Sequence, residues 1–240
     1  MKGILLAGGT GSRLYPLTKC INKHLLPVGD KPMAQWALEK FVEAGITDIL
    51  IISGKEQCGM IINQFGDGKE LGCNLTYKVQ MEAGGIAQAL SLAEAFVGDD
   101  NMCVILGDNI FSMSLKGLSF NSGAMILLKE IKDPSRYGVA EIEQVGDKIN
   151  ILSIEEKPLV PKTNYAVTGI YYYDKSVFDK IRQIKPSNRN ELEITDINNL
   201  YIKENKMCAK LMDNSDIWSD AGTIKSYSYI NEIINKINNR

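Results

Sequence analysis

The sequence has one histidine, His24, and only two tryptophans among 240 residues. A single imidazole excludes metal centres built from several histidines and counts against a serine–histidine–aspartate triad, so polar chemistry has to come from carboxylates, lysines, arginines and metal. Cysteine is scarce too: Cys20, Cys58, Cys73, Cys103 and Cys208 make an odd count with no CxxC pair. That excludes a disulfide framework or zinc site and leaves buried thiols in a reducing compartment. Long apolar runs are missing. The first gives way to Gly8 and Gly9 after Gly3–Ala7, too short for a signal-peptide core or a membrane span, so no membrane partner is expected and the cytoplasm is the default location. No charge sign dominates either, with 27 basic against 29 acidic residues and a net charge of −2. A broad nucleic-acid surface is not expected, although a local basic cluster can still hold phosphates.

What is present is alternation. Apolar residues make up 45% of the chain, enough for a sizeable core. Gly3–Ala7, Asp48–Ser53, Leu75–Gln80 and Met102–Leu106 read as strands, separated by helical patterns at Pro32–Ala44, Glu56–Phe65 and Ile86–Phe96. Pro32 suits a first helical turn and Gly45 a helix end. This β-α-β order predicts an α/β fold with a mainly parallel sheet and helices on both faces. The second half is strand-rich, at Ala124–Ile131, Val139–Glu143, Ile149–Glu156 and Ala166–Tyr173, with helices at Lys175–Gln183, Thr195–Glu204 and Gly222–Ile237. With no low-complexity linker and no repeat, a single domain over residues 1–240 is expected.

Directly after the first strand comes Leu5-Leu6-Ala7-Gly8-Gly9-Thr10-Gly11-Ser12-Arg13-Leu14. Three glycines let backbone approach a ligand, successive N–H groups can cradle phosphate oxygens, and Arg13 adds a permanent charge with bidentate donors. Glycines alone fit a plain strand-to-helix turn equally well. The loop lacks the Gly-Lys-Ser/Thr of a Walker loop and the third glycine of a dinucleotide fingerprint. Ten residues on, Lys23 stands beside an apolar Leu25-Leu26-Pro27-Val28 run and can be aimed at the same phosphates. Leu106-Gly107-Asp108-Asn109 follows a wholly apolar strand, placing Asp108 where parallel sheets bind ligands and where a hard carboxylate can hold Mg²⁺. A simple Asp-Asn turn is the alternative. Glu155-Glu156-Lys157-Pro158 reads as either an anion and polyol site or an exposed charged turn. Asp220, before the last helix, reads equally as a helix cap or a second metal carboxylate.

Together these pieces resemble the sugar nucleotidyltransferases, most closely the glucose-1-phosphate thymidylyltransferases. The resemblance runs nearly end to end through LLAGGTGSRLYPLT, KHLLPVGDKPM, GGIAQAL, VILGDNIF, DPSRYGVAE, EEKP, NYAVTGIYYYD, ELEITDIN and DAGT. It implies the nucleotide-diphospho-sugar transferase fold, a three-layer αβα sandwich that is Rossmann-like with strand-rich insertions. Residues 1–110 would then form the nucleotide-binding half and 111–240 the sugar-phosphate half. It implies that Leu6, Ala7 and the loop Gly8–Arg13, including Gly8, Gly9, Thr10, Gly11 and Ser12, surround a triphosphate. Arg13 and Lys23 would stabilise the transferring and leaving phosphates, and Asp108 and Asp220 would hold Mg²⁺. Gln80 and Gly85 match base-recognition positions. Lys157 would grip the sugar phosphate, with Asn109, Tyr137, Gly138, Glu155, Val167 and Tyr171 lining the sugar site. The implied substrates are dTTP or UTP and a hexose 1-phosphate, and the implied assembly is a homodimer or homotetramer.

The chain departs from the family pattern in places. The segment between Phe111 and Gly123 is short, so a helix usual there is expected to be trimmed. Asn190 stands where glycine is common, and Ile224 where histidine often follows the DAGT motif. The sequence ends at Arg240 without the longer helical tail of larger members, which implies weak or absent feedback through the regulatory site that the tail helps build. Other readings stay open: the same transfer with UTP or another hexose 1-phosphate, a non-catalytic nucleotide-sugar sensor, and a dehydrogenase, which the missing third glycine opposes.

Overall fold

The computed structural model describes residues 1–146 and 148–238. The fold is mixed α/β, and the chain divides into two compact units interleaved in sequence. One unit comprises Lys2–Ala83, Ile105–Gly117 and Ile217–Arg240. The other comprises Met1, Gly84–Val104 and Leu118–Asp216.

The first unit is built on parallel strands. Lys2–Ala7 pairs with Asp48–Gly54, from Gly3 opposite Ile49 to Ala7 opposite Ser53, and Asp48–Gly54 pairs in turn with Asn74–Gln80. Ile4, Leu5 and Ala7, like Ile49, Ile51 and Ile52, are fully buried, as continuous apolar runs require when both sheet faces are covered. The crossovers are helices Met33–Glu43 and Cys58–Phe65. Met33, Ala34, Ala37, Leu38 and Phe41 form the buried stripe of the first helix, their spacing matching the helical period. Gly45 follows its end at φ +75°, as a helix-terminating glycine does.

A small core in this unit positions the glycine loop. Leu14, Leu26, Val28, Met33, Ile110 and Ala221 pack against Ile230 and Ile234 of the last helix, Ile224–Asn238. Leu14 adjoins Arg13, Ile110 adjoins Asn109, and Ala221 adjoins Asp220, so burying each apolar residue fixes a polar neighbour. At about 1.5–3 kcal/mol per buried large aliphatic side chain, this cluster is a firm anchor. Two short pairs complete the unit: the hairpin Pro27–Val28 with Lys31–Pro32, and the antiparallel ribbon of Asn109–Phe111 with Trp218–Asp220.

The second unit is mostly antiparallel. Lys148–Glu156 pairs with Gly138–Val145, the register shifting between Ile151 and Ser153. Tyr165–Tyr173 pairs with Ala124–Glu130, shifting between Val167 and Tyr171. Met207–Leu211 runs parallel to Ala124–Glu130. Helices Ile86–Ser91, Glu94–Val97, Val177–Ile181 and Ile194–Lys203 accompany these strands.

Most expected elements form within a few residues of their predicted bounds. The predicted helix Ile86–Phe96 divides, however, into Ile86–Ser91 and Glu94–Val97. Residues 112–123 carry no helix, as expected of the shortened segment. The ribbon Asn109–Phe111/Trp218–Asp220 and the strand Met207–Leu211 were not legible: each is at most five residues long, and the latter is half-buried and lacks a β-branched residue. Cys20 and Cys208 are exposed, whereas buried thiols were expected. Among the described residues no helix is long and apolar enough to cross a membrane.

Candidate active site

The glycine loop leaves the carboxyl end of strand Lys2–Ala7. Gly9 and Gly11 have φ of +93° and +68°, conformations that side chains rarely adopt. Nothing lies within 4 Å of where a Gly9 β-carbon would stand, so the loop is open there. At Gly11 such an atom would come within 3.0 Å of Thr18, whose hydroxyl donates to the Gly11 carbonyl at 2.7 Å. Gly8 is glycine for a different reason: a β-carbon would sit 2.7 Å from Gln80 Oε1. The buried carboxamide of Gln80 is therefore packed against the loop, which joins the candidate base reader to the candidate phosphate cradle.

Asp108 is the centre of the site. It stands just past the strand Met102–Leu106, nearly buried, and Lys23 Nζ donates to its Oδ2 at 2.6 Å. Asn109 Nδ2 donates to its Oδ1 at 3.1 Å. Burial would raise the carboxyl pKa, but the Lys23 cation, which also donates to it, and the Arg13 cation outweigh this and hold the group well below the usual carboxylate range. Asp108 is thus ionised near neutral pH.

Asp220 is brought beside it. It pairs in register with Asn109, and the next N–H, that of Ala221, donates to the Asp108 carbonyl at 2.8 Å. A β-carbon on Gly222 would lie 3.3 Å from Asp108 Oδ2 and 3.4 Å from Arg13 Nη2. Arg13, Lys23, Asp108 and Asp220, scattered over more than 200 residues, therefore converge at the loop.

His24, which in the sequence only excludes other chemistries, is a structural part of this site. It is buried, its backbone N–H and its ring Nδ1–H both donating to Asn22 Oδ1 at 2.8 Å. Burial first, then the neighbouring Lys23 cation, pushes its pKa down to about 3, so it is neutral. A β-carbon on Gly107 would meet the His24 ring at 2.8 Å. The glycine before Asp108 is thus required by the imidazole behind it, a link no local motif reveals.

Asn109, grouped by sequence with the sugar site, stands in the unit of the glycine loop. Its Nδ2 is spent on Asp108, and its Oδ1 accepts from Trp218 Nε1 at 2.8 Å.

The remaining candidates lie in the second unit. Gly85 has φ +96°, and a β-carbon there would lie 2.6 Å from the Leu192 carbonyl oxygen. Lys157 is a non-glycine residue at φ +48°, its N–H donating to the Tyr137 carbonyl at 2.9 Å; such strain concentrates at functional positions. Val139 and Gly138 pair with Glu155 and Glu156. Val167 and Tyr171 are buried on either side of the register shift in their strand. Glu155 is exposed. Its neighbour Glu156 is the one tied into a network: Thr195 Oγ1 donates to Oε2 at 2.6 Å, while Lys157 Nζ and Arg189 Nη2 lie 3.4 and 3.6 Å from Oε1. Arg189 also pairs with Glu193 at 2.7 Å. Arg189 and Glu156 are not legible in the sequence, because an arginine before ELEITD and the second of two glutamates carry no local signal.

The family model for nucleotidyl transferases matches residues 2–237. The chain belongs to that family. A curated glucose-1-phosphate thymidylyltransferase of Neisseria meningitidis is 42% identical over 232 residues, covering 94% of this chain and 80% of its relative. A crystal structure from Bacillus anthracis, assigned as a glucose-1-phosphate thymidylyltransferase and solved with a sucrose, superposes with a TM-score of 0.89 at 52% identity, over 97% of this chain and 94% of that one. A UDP-glucose pyrophosphorylase solved with UDP-glucose gives a TM-score of 0.84 at 26% identity, over 98% of each chain. The fold is therefore that of the sugar-nucleotide pyrophosphorylases, and the chain is a nucleotidyltransferase.

Proposed function

We propose that this protein joins dTTP and α-D-glucose 1-phosphate to give dTDP-glucose and pyrophosphate. The observation that carries the reading is Asp108, an ionised carboxylate at a strand end, held by Lys23 beside the glycine loop, with Arg13 and Asp220 alongside. Cations that can follow phosphate charge and two hard carboxylates suit transfer at a triphosphate.

The residues fit a divalent metal of the magnesium type. The candidate donors are carboxylate oxygens only, and among the described residues no cluster of three or more His, Cys, Asp or Glu could hold an ion by itself. Mg²⁺ is typically held by one or two carboxylates together with substrate phosphates. Asp108 and Asp220 would hold it, and bound there it would neutralise phosphate charge and act as a template.

The reaction needs no covalent enzyme intermediate. A phosphate oxygen of glucose 1-phosphate forms a bond to the α-phosphorus while the bond to the bridging oxygen breaks, its electron pair leaving with pyrophosphate. The protein's work is alignment and charge neutralisation. The open loop at Gly9 gives the triphosphate backbone donors, and Arg13 and Lys23 follow the charge as it moves to the leaving group. Gln80, held against Gly8, supplies an amide that can pair with the polar edge of thymine. Lys157 and Arg189, which both approach Glu156 Oε1, supply cations for the sugar phosphate, and Glu156 supplies an acceptor for a sugar hydroxyl.

A matrix of dTTP, UTP and other nucleotides against several hexose 1-phosphates, scored by pyrophosphate release, tests the reading. dTTP with glucose 1-phosphate should give the highest kcat/KM. UTP should trail by only about 10–200-fold, since one methyl group is worth about 1–3 kcal/mol of discrimination. Absence of pyrophosphate with every pair would instead support a nucleotide-sugar-binding protein.

A further inference from the structure

We infer that Trp218 is a positioning residue for the metal-binding carboxylate of Asp108, acting through the side chain of Asn109. The inference rests on the reading of Asp108 given above and extends it to a residue that touches no reacting atom in that reading.

The chain of contacts is short and directional. Trp218 Nε1–H donates to Asn109 Oδ1 at 2.8 Å, and Asn109 Nδ2 donates to Asp108 Oδ1 at 3.1 Å. Lys23 takes the other oxygen, Oδ2, at 2.6 Å. Each oxygen of the carboxylate therefore has its own donor, and the plane of the group is set from both sides. Asn109 is 3% exposed, so its amide has little access to water.

An indole nitrogen can only donate, whereas a carboxamide has one end that donates and one that accepts. The Trp218 N–H and the ionised Asp108 carboxylate, one a donor and the other an acceptor, thus hold Asn109 the same way round from opposite ends. With the indole in place, the amide oxygen faces Trp218 and the NH₂ group faces Asp108. Without it, the amide oxygen loses its donor and the Asn109 side chain is tethered only at the carboxylate, so Asp108 Oδ1 is held less firmly. The backbone frame supports this linkage. Asn109 pairs in register with Asp220 and Phe111 with Trp218, so all four side chains lie on one face of the two-stranded ribbon. One indole hence holds both the orientation of Asp108 and a place two residues from Asp220.

The test compares parental enzyme with Trp218→Phe, which keeps an aromatic ring and removes only the donor, together with Asn109→Ala, Asp108→Asn and the double variant Trp218→Phe/Asp108→Asn. Thermal melting confirms folding. Mn²⁺ binding in the presence of dTTP is followed by electron paramagnetic resonance, and kcat and the KM for glucose 1-phosphate are measured separately. Trp218→Phe and Asn109→Ala should each weaken Mn²⁺ binding and lower kcat by about 10–100-fold, the usual cost of losing a partner that orients a metal ligand. The KM for glucose 1-phosphate should change little, and Trp218→Phe should add no further loss in the Asp108→Asn background. Normal Mn²⁺ affinity in Trp218→Phe, with the defect confined to the KM for the sugar phosphate, would overturn the inference and make Trp218 a wall of the sugar site. Normal Mn²⁺ affinity in Asp108→Asn itself would instead overturn the underlying reading of Asp108, and the positioning role with it.

Discussion

Lys23 Nζ lies 2.6 Å from Asp108 Oδ2, across 85 residues of chain and with both side chains close to 90% buried. This pair joins the segment after the glycine loop to the end of the strand Met102–Leu106, and it helps keep Asp108 ionised. Removing the lysine leaves a buried carboxylate without its ion-pair partner. Lys23→Met should therefore cost about 3–5 kcal/mol of stability in the ligand-free protein as well as activity. Adding Asp108→Asn should recover part of the lost melting temperature. Equal melting of Lys23→Met and parental protein would show that the pair contributes nothing.

Arg13 acts differently. It is exposed, and in the proposed reaction it would serve the phosphates rather than the fold. Arg13→Ala should leave the melting temperature nearly unchanged and lower kcat by about 10²–10³-fold, the scale of a lost transition-state donor. Steady-state pyrophosphate release measures this, and near-normal turnover would remove Arg13 from the proposed machinery.

With Gln80 as the proposed base reader, its contact with Gly8 should make base selection sensitive to a single methyl group. Gly8→Ala would press a β-carbon to within 2.7 Å of Gln80 Oε1 and displace the amide. Both Gly8→Ala and Gln80→Ala should narrow the preference for dTTP over dCTP, read as a ratio of kcat/KM values, by about tenfold or more, because losing one buried hydrogen bond to a base costs about 1–3 kcal/mol. A ratio that stays at the parental value in Gln80→Ala would place base recognition elsewhere.

Arg189 is held among Glu156, Glu191 and Glu193. As a ligand for the sugar phosphate it would exchange carboxylate partners for phosphate oxygens. Arg189→Ala should raise the KM for glucose 1-phosphate by about 10–100-fold, the worth of a charge-assisted hydrogen bond, and leave the KM for dTTP unchanged. A rise in the dTTP value alone would assign it to the nucleotide.

Acid stability should depend on Asp174. Burial pushes its carboxyl up, but the Ser176 hydroxyl and the backbone N–H groups of Gly123 and Ser176 outweigh this and hold it below its ordinary value. A carboxyl depressed in the folded state adds stability that is complete above its unfolded pKa of about 3.9 and disappears as pH falls through the folded value. Urea midpoints should therefore be insensitive to this group near neutrality and fall below about pH 4. Asp174→Asn should be less stable at pH 7 and show a shallower acid decline. A parallel decline in the two proteins would exclude Asp174 as a contributor.

The sequence by itself determined the strands, most helices and the glycine loop. These depend on local patterns: unbroken apolar runs for buried parallel strands, a 3.6-residue stripe in Met33–Glu43, and glycines where φ must be positive. It also supplied a list of charged residues whose role was undecided, since Asp220 read equally as a helix cap. Only tertiary structure brought Asp220 into register with Asn109, set Lys23 on Asp108, placed His24 behind Gly107 and joined Asn109 to Trp218. Those relations link positions many tens of residues apart, and they come from how an apolar cluster at Leu14, Ile110 and Ala221 packs on the last helix. No window of neighbouring residues contains that information, because the energy that fixes it arises from burial between segments rather than within them.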